Sequence, residues 1–234
     1  MLKLLKKNIK LLFHNYGFIL KKNYANRKYT NSPPDQETLN QIFKSSGIIH
    51  MGAHRGTEAP VYDWFNKKTI WIEANPDIFL DLKINISQFI NQKAFNCLLY
   101  DKDNVLVDFY LSNNDAASSS LFKFSKKYED IKMIKQKKLK TLSLDTLLEK
   151  NSIDAREYNF WVMDLQGAEY LALKGSTKSI KFCDAILIEI SKDEYYLDGA
   201  KWEDIRNFLN NNMMFHFKEP DNMHQDVLFI RKYK

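Results

Sequence analysis

His50-Met-Gly-Ala-His-Arg-Gly-Thr-Glu58, followed by Thr69-Ile-Trp-Ile-Glu-Ala-Asn-Pro76, is the stretch that decides the fold of this chain. An apolar run from Gly47 to Met51 enters a tight loop with glycines at 52 and 56. A helix is predicted next, and a second apolar run then ends on Glu73. Strand, glycine loop, helix, strand and terminal acid open a nucleoside-binding α/β unit. Glu73 stands 21 positions after Gly52, close to the roughly 20 residues that separate loop and ribose-binding carboxylate in such units. A carboxylate ending an apolar strand also needs a partner, because burying an unpaired charge is costly.

The loop narrows the choice of nucleoside. A dinucleotide fingerprint needs glycine where His54 and Thr57 stand, so a side chain occupies the place of the diphosphate. A triphosphate cradle of the G-x-x-x-x-G-K-[ST] type is absent from the sequence. S-adenosylmethionine has no phosphate. It needs a glycine loop to pass its methionyl part, an acid for two ribose hydroxyls and a polar group at the adenine edge. Gly52, Ala53 and Gly56 supply the loop, Glu73 with Ala74 the ribose contact, and Asp101 the adenine contact.

Outward from this core, the chain alternates helices and strands. Helix is predicted over Gln36–Lys44 and Asp77–Ile86, and strand over Ala94–Tyr100, closing on Asp101. Val105–Leu111 reads as an added strand and Asn113–Ser120 as a polar loop. Lys123–Lys140 holds eight lysines against two acids and reads as a solvated helix or flap. Strand Asn159–Met163, turn Asp164–Gly167, a short helix stopped by Gly175, strand Ala185–Ile190 and helix Trp202–Asn210 follow. Met214–Lys218 and Val227–Arg231 are joined too closely for a crossover helix and should pair antiparallel. The fold class is therefore α/β, Rossmann-like, a mostly parallel sheet with helices on both faces and an antiparallel last strand. That is the class I methyltransferase topology.

Composition bounds the rest. The 234 residues, 44% of them hydrophobic, suit one domain with a proper core. Cys97 and Cys183 lie in apolar runs and read as buried free thiols of a reducing, cytoplasmic compartment. No cysteine and histidine spacing suits a metal. Residues 1–34 carry eight Lys or Arg and no acid, which leaves the other 200 at about −2 of a total of +6. The body of the protein is thus not a basic nucleic-acid binder.

The boundaries are a basic amphipathic helix and linker at 1–34, and a catalytic domain at 35–234 with 113–140 as insertion or flap. Leu2, Leu5, Ile9, Leu12, Tyr16 and Ile19 recur at helical spacing, with lysines on the other faces. Two readings of this helix stand. Its stripe packs on the domain, or residues 2–20 touch an anionic membrane surface or a partner protein peripherally. His14, Asn15 and Gly17 interrupt it as a signal peptide, and it is too polar to span a membrane. Asn31-Ser-Pro-Pro-Asp35 reads as a linker turn.

Several motifs now coincide: Ile48-Ile-His-Met-Gly-Ala-His-Arg-Gly56, Ile72-Glu-Ala-Asn-Pro76, Ala116-Ala-Ser-Ser-Ser-Leu121, Lys140-Thr-Leu-Ser-Leu-Asp-Thr-Leu-Leu148, Trp161-Val-Met-Asp-Leu-Gln-Gly-Ala-Glu169 and Asp226-Val-Leu-Phe-Ile-Arg231. With them the chain resembles the FkbM family of methyltransferases over about residues 47–231. The resemblance implies a class I fold and S-adenosylmethionine-dependent transfer, often to a hydroxyl of a sugar or polyketide-type metabolite. Two departures stand out. His50 replaces the acid that helps hold the cofactor's ammonium, and Gln166 replaces a commoner Glu.

Methyl transfer to an alcohol needs alignment and a base. Candidates lie where strands end: Asp164 first, then His54 and His224, with Glu169 and Glu189 beside them. Glu169 could equally serve the dipole of its own helix. His50, Gly52, Ala53, Gly56, Glu73, Ala74, Asp101 and Asp164 are the expected cofactor contacts. The leading expectation is an O-methyltransferase acting on a small saccharide-like acceptor, with no nucleic-acid partner. A nucleic-acid methyltransferase and a catalytically silent binding protein are the alternatives.

Overall fold

The computed structural model describes residues 36–125 and 131–232. The expected helix and linker at 1–34 lie outside the described residues. Contacts divide the chain into Met1–Leu39 and Asn40–Lys234, and the second unit is the subject below. Helix α1 covers Gln36–Lys44. Then follow β1 Gly47–Met51, α2 Ala59–Trp64, β2 Lys68–Glu73, α3 Pro76–Ile86 and β3 Gln92–Asn96. Next come β4 Leu98–Leu99, β5 Leu106–Ser112, β6 Met133–Leu142 and α4 Leu144–Lys150. The chain continues through β7 Phe160–Met163, α5 Glu169–Lys174, β8 Ala185–Ser191, α6 Trp202–Asn211, β9 Met214–His216 and β10 His224–Arg231.

The main sheet has the order β3-β2-β1-β7-β8-β10-β9. Its first five strands run parallel, and β10 is antiparallel to both neighbours. This is the class I methyltransferase arrangement. Side chains alternate across it with period 2. Ile49, Met51, Ile70, Ile72, Trp161 and Met163 point to one face, where they meet Leu147 of α4, Leu173 of α5 and Leu209 of α6. Ile48, Trp71, Phe160 and Val162 point to the other, against Tyr62 of α2 and Leu82 of α3. Apolar side chains on both sides explain why these strands read as continuous apolar runs.

Two motif segments turn out to be fastenings. Asp145 accepts from the backbone N–H of Lys178 and Ser179 and from Ser179 Oγ, at 2.6–2.9 Å, and so ties α4 to the start of a later turn. Arg231 donates to three carbonyls, those of Cys183, Asn212 and Ile180, at 2.6–2.7 Å.

Three expectations need correction. Strand three leaves the main sheet after Asn96, because Asn96 Nδ2 turns back to the carbonyls of Glu73 and Ala74 and Leu98 pairs instead with Thr141 of β6. Asp101 therefore does not end it. Asp101 sits in a turn 3.2 Å from Lys174 Nζ at the end of α5. The lysine-rich segment Lys123–Lys140 is no helix where described. From Met133 it forms β6, antiparallel to β5, with Leu139 packing toward Leu98, Phe109 and Leu111 while Lys138 and Lys140 face out. Third, His224 begins β10 opposite Ser191 rather than lying in a loop. Cys97 and Cys183 are buried free thiols, and no helix of the described residues is long and apolar enough to cross a membrane.

Candidate active site

Strands β1, β2, β7 and β8 end on one edge of the sheet, and the chemistry gathers there. The glycine loop is stitched to β2, since Gly52 N–H and Ala53 N–H both donate to the Ile72 carbonyl at 3.0 Å. Gly52 has φ 82°, and a β-carbon there would stand 1.7 Å from the Asp164 carbonyl oxygen. Gly56 has φ 67°, and its β-carbon would stand 2.6 Å from Leu82. Protein atoms fill the room that a side chain would need at both positions, so the fold itself demands glycine there.

His54, at φ 45°, donates its backbone N–H to Glu73 Oε2 at 2.8 Å, and Asn75 N–H donates to Oε1 at 2.7 Å. Burial pushes the Glu73 carboxyl up to about 7; the N–H donors pull it down and the charge of Asp164 adds to the rise. Ala74 packs beside Leu98 and Phe109. The His54 ring is tied to the cover of the site, because Nε2–H donates to the Asp115 carbonyl at 3.0 Å. Arg55 fastens the same loop, with Nε 2.9 Å from Asp81 and its terminal nitrogens on the Asp115 carboxylate.

His50, expected to touch the cofactor, is 5% exposed inside the second core. Its ring stacks on Trp71 at 4.8 Å and bonds the Tyr62 hydroxyl at 3.1 Å. The alternation of β1 turns it onto the face of α2 and α3, so the departure from an acid is absorbed by the core.

Asp164 follows β7, and its backbone N–H donates to the Met51 carbonyl at 3.0 Å. The next turn carries Gln166 at φ 54° and Gly167 at φ 95°. Glu169 begins α5 and accepts from Leu165 N–H at 2.8 Å and Gly167 N–H at 3.3 Å. Burial pushes it up to about 7. Glu189 of β8 stands 3.1 Å from His224 Nε2. Burial, then the charges of Asp164 and Glu169, raise Glu189 well above the usual carboxylate range, while burial lowers His224. A cavity of about 280 Å³ opens beside this pair, with Tyr195, Tyr196, Ala200 and Ile205 on its walls.

The structure thus brings together Glu73, Asp164, Glu189 and His224, and leaves His50 and Asp101 apart. Gln166 and Asp226, which faces Glu189 in the strand register, were missed as site residues. Both belong to motif segments already quoted, and the carboxylates ending neighbouring strands were the available signal.

A class I sheet, a glycine loop and acids after strands two and four define an S-adenosylmethionine-dependent methyltransferase. Residues 50–217 match the family model of the methyltransferase FkbM domain, and the chain belongs to that family. Solved structures similar in fold include the TehB-like methyltransferase of Corynebacterium glutamicum, at 10% identity and TM-score 0.47, covering 95% of this chain and 100% of that one. Another is magnesium protoporphyrin IX methyltransferase from Synechocystis with bound S-adenosylhomocysteine, at 6% identity and TM-score 0.44, covering 97% and 100%. No curated protein matches the chain in sequence. The family uses S-adenosylmethionine as methyl donor. The residues present fit it: Glu73 keeps acceptor capacity for hydroxyls beyond its N–H donors, and Asp164 beside it suits a group carrying sulfonium and ammonium charges.

Proposed function

We propose that this protein methylates a hydroxyl oxygen of a small, saccharide-like molecule. The observation that carries the reading is His224 Nε2 lying 3.1 Å from Glu189 at the cavity beside Asp164. An alcohol must lose its proton as its oxygen attacks, and an imidazole held by a carboxylate is suited to take it. With Glu189 ionised, His224 carries its proton on Nε2 and presents the Nδ1 lone pair. Burial lowers His224 and raises Glu189, so this ready state is reached as the pH rises, and activity should climb with it.

On the donor side, Glu73 would receive the ribose hydroxyls and Asp164 the ammonium, and the backbone of Gly52, Ala53, Gly56 and Ala74 would shape the wall. Bound S-adenosylmethionine supplies an electrophilic methyl on its sulfonium. His224 accepts the hydroxyl proton, and the acids Glu189, Asp193, Glu194 and Glu203 outnumber the lysines Lys192 and Lys201 on the cavity wall. That lining repels phosphates and disfavours a nucleic-acid acceptor.

Calorimetry with S-adenosylmethionine and transfer of labelled methyl to hydroxylated acceptors test the reading. His224→Ala should lower kcat by about 10²–10⁴-fold with donor affinity kept. Absence of donor binding would sink the whole assignment, and full activity in His224→Ala would sink the base alone.

A further inference from the structure

Gln166 hydrogen-bonds both Asp164 and Glu189, the second of which lines the cavity. Its Nε2 donates to Asp164 Oδ1 at 2.5 Å and to Glu189 Oε2 at 2.7 Å. The two carboxyl oxygens mark that atom as the nitrogen, and the Tyr196 hydroxyl donates to Oε1 on the other side at 2.5 Å. Its main chain is held as well: at φ 54° it occupies the left-handed region that costs a non-glycine residue energy, and its carbonyl accepts from Ser120 Oγ at 2.6 Å. Ser120 and Tyr196 come from two covering segments that are bonded to each other, Ser125 N–H to the Tyr195 carbonyl at 2.8 Å and Leu197 N–H to the Lys123 carbonyl at 2.9 Å.

We propose that Gln166 is a positioning residue, whose carboxamide holds Asp164 and Glu189 in register with His224 and links that group to the two segments covering the site. The proposal rests on the methyl-transfer reading of the site. A carboxamide is the group that can do this. A glutamate at 166 would set a third negative charge between two others, whereas the amide gives each carboxylate a hydrogen and takes one from the phenol. A leucine of similar size would fill the space and remove that donor, leaving the direct contact of Asp164 with Glu189, which already raises Glu189, without its counterweight.

The consequence falls on His224, which is faced by Glu189 from β8, by Asp164 from the turn after β7 and by the Tyr195 ring at 5.2 Å. The test is the titration of the His224 ring, followed by nuclear magnetic resonance in the full chain without cofactor. In Gln166→Glu the added negative charge should raise the midpoint of His224 by roughly one pH unit. In Gln166→Leu, Glu189 holds its proton more firmly and the midpoint should fall. Tyr196→Phe, which frees the amide to turn, should shift His224 in the same direction as Gln166→Leu and by less. Thermal melts identify the variants that fold, and Tyr196→Phe, which deletes a single oxygen, carries the test if both changes at 166 unfold. Opposite shifts in the two changes at 166 support the proposal, as does a fall in Tyr196→Phe where it is the only variant that folds. An unmoved His224 in any folded variant would overturn it. These readouts need neither donor nor acceptor, so they separate failure of the positioning role from failure of the methyl-transfer reading, which donor binding reports.

Discussion

Glu169 shows how one carboxyl can serve the fold and set its pH response. It is 2% exposed, closes the start of its own helix and is pushed from 4.5 up to about 7 by burial. The folded state therefore binds the proton more tightly than the unfolded chain between those values. Its contribution to stability is full below about pH 4.5 and is lost as the pH rises through 7. Glu169→Gln keeps an oxygen for the N–H groups of Leu165 and Gly167 and has no charge to bury. Urea melts should show the variant gaining about 2–3 kcal/mol on the wild type between pH 5 and pH 8. A gap that stays flat with pH would mean that Glu169 is not protonated in the fold. Gly52 sets a steric limit of another kind. Gly52→Ala should cost at least about 2 kcal/mol, since its β-carbon meets backbone, which cannot rotate away.

At the scale of elements, the strands of the main sheet were legible because residues buried on both faces leave long apolar runs. Gly47–Met51 and Lys68–Glu73 stand out for that reason. The hairpin of β5 and β6 was half hidden. Lysines stand on both faces of β6, Lys138 and Lys140 outside and Lys135 and Lys137 in line with Met133, Leu139 and Thr141, and charge count alone does not separate helix from strand. Phe109 anchors this hairpin, and Phe109→Ala should cost about 3 kcal/mol in a chemical melt. Near the site, Glu73 and Asp164 were legible as residues at strand ends, whereas His224, expected in a loop, starts β10. The contacts of Arg55 with Asp115 and of Gln166 with Glu189 were not legible, because they span 60 and 23 residues and depend on how loops fold over one another. Asp115 is an exposed partner, with 71% of its side chain accessible. Asp115→Asn should change stability by less than about 1 kcal/mol while loosening the cover over the glycine loop, which a faster dissociation of S-adenosylmethionine in stopped flow would report.

At the scale of the whole molecule, donor affinity should follow the charge of Glu73. The carboxylate is pushed up to about 7 in the free protein, and hydroxyl and cationic groups favour its ionised form. Affinity for S-adenosylmethionine measured by calorimetry should therefore rise between pH 6 and pH 8 and level off above. Glu73→Gln should bind more weakly and show a flatter profile over the same range. A wild-type affinity independent of pH would show that Glu73 is already ionised before the donor arrives.

Gly52 and Asp164 touch across β1 and β7, with no room for one additional carbon between them. Under the proposed methyl-transfer reading, the donor and acceptor sides would share a party wall, and neither could be rebuilt without disturbing the other along that seam. Engineering a new acceptor preference has more freedom at the roof, in residues 113–125 and 191–201, which can change composition while the seam stays fixed. Divergence within a lineage would follow the same rule, with the donor wall kept and the roof exchanged.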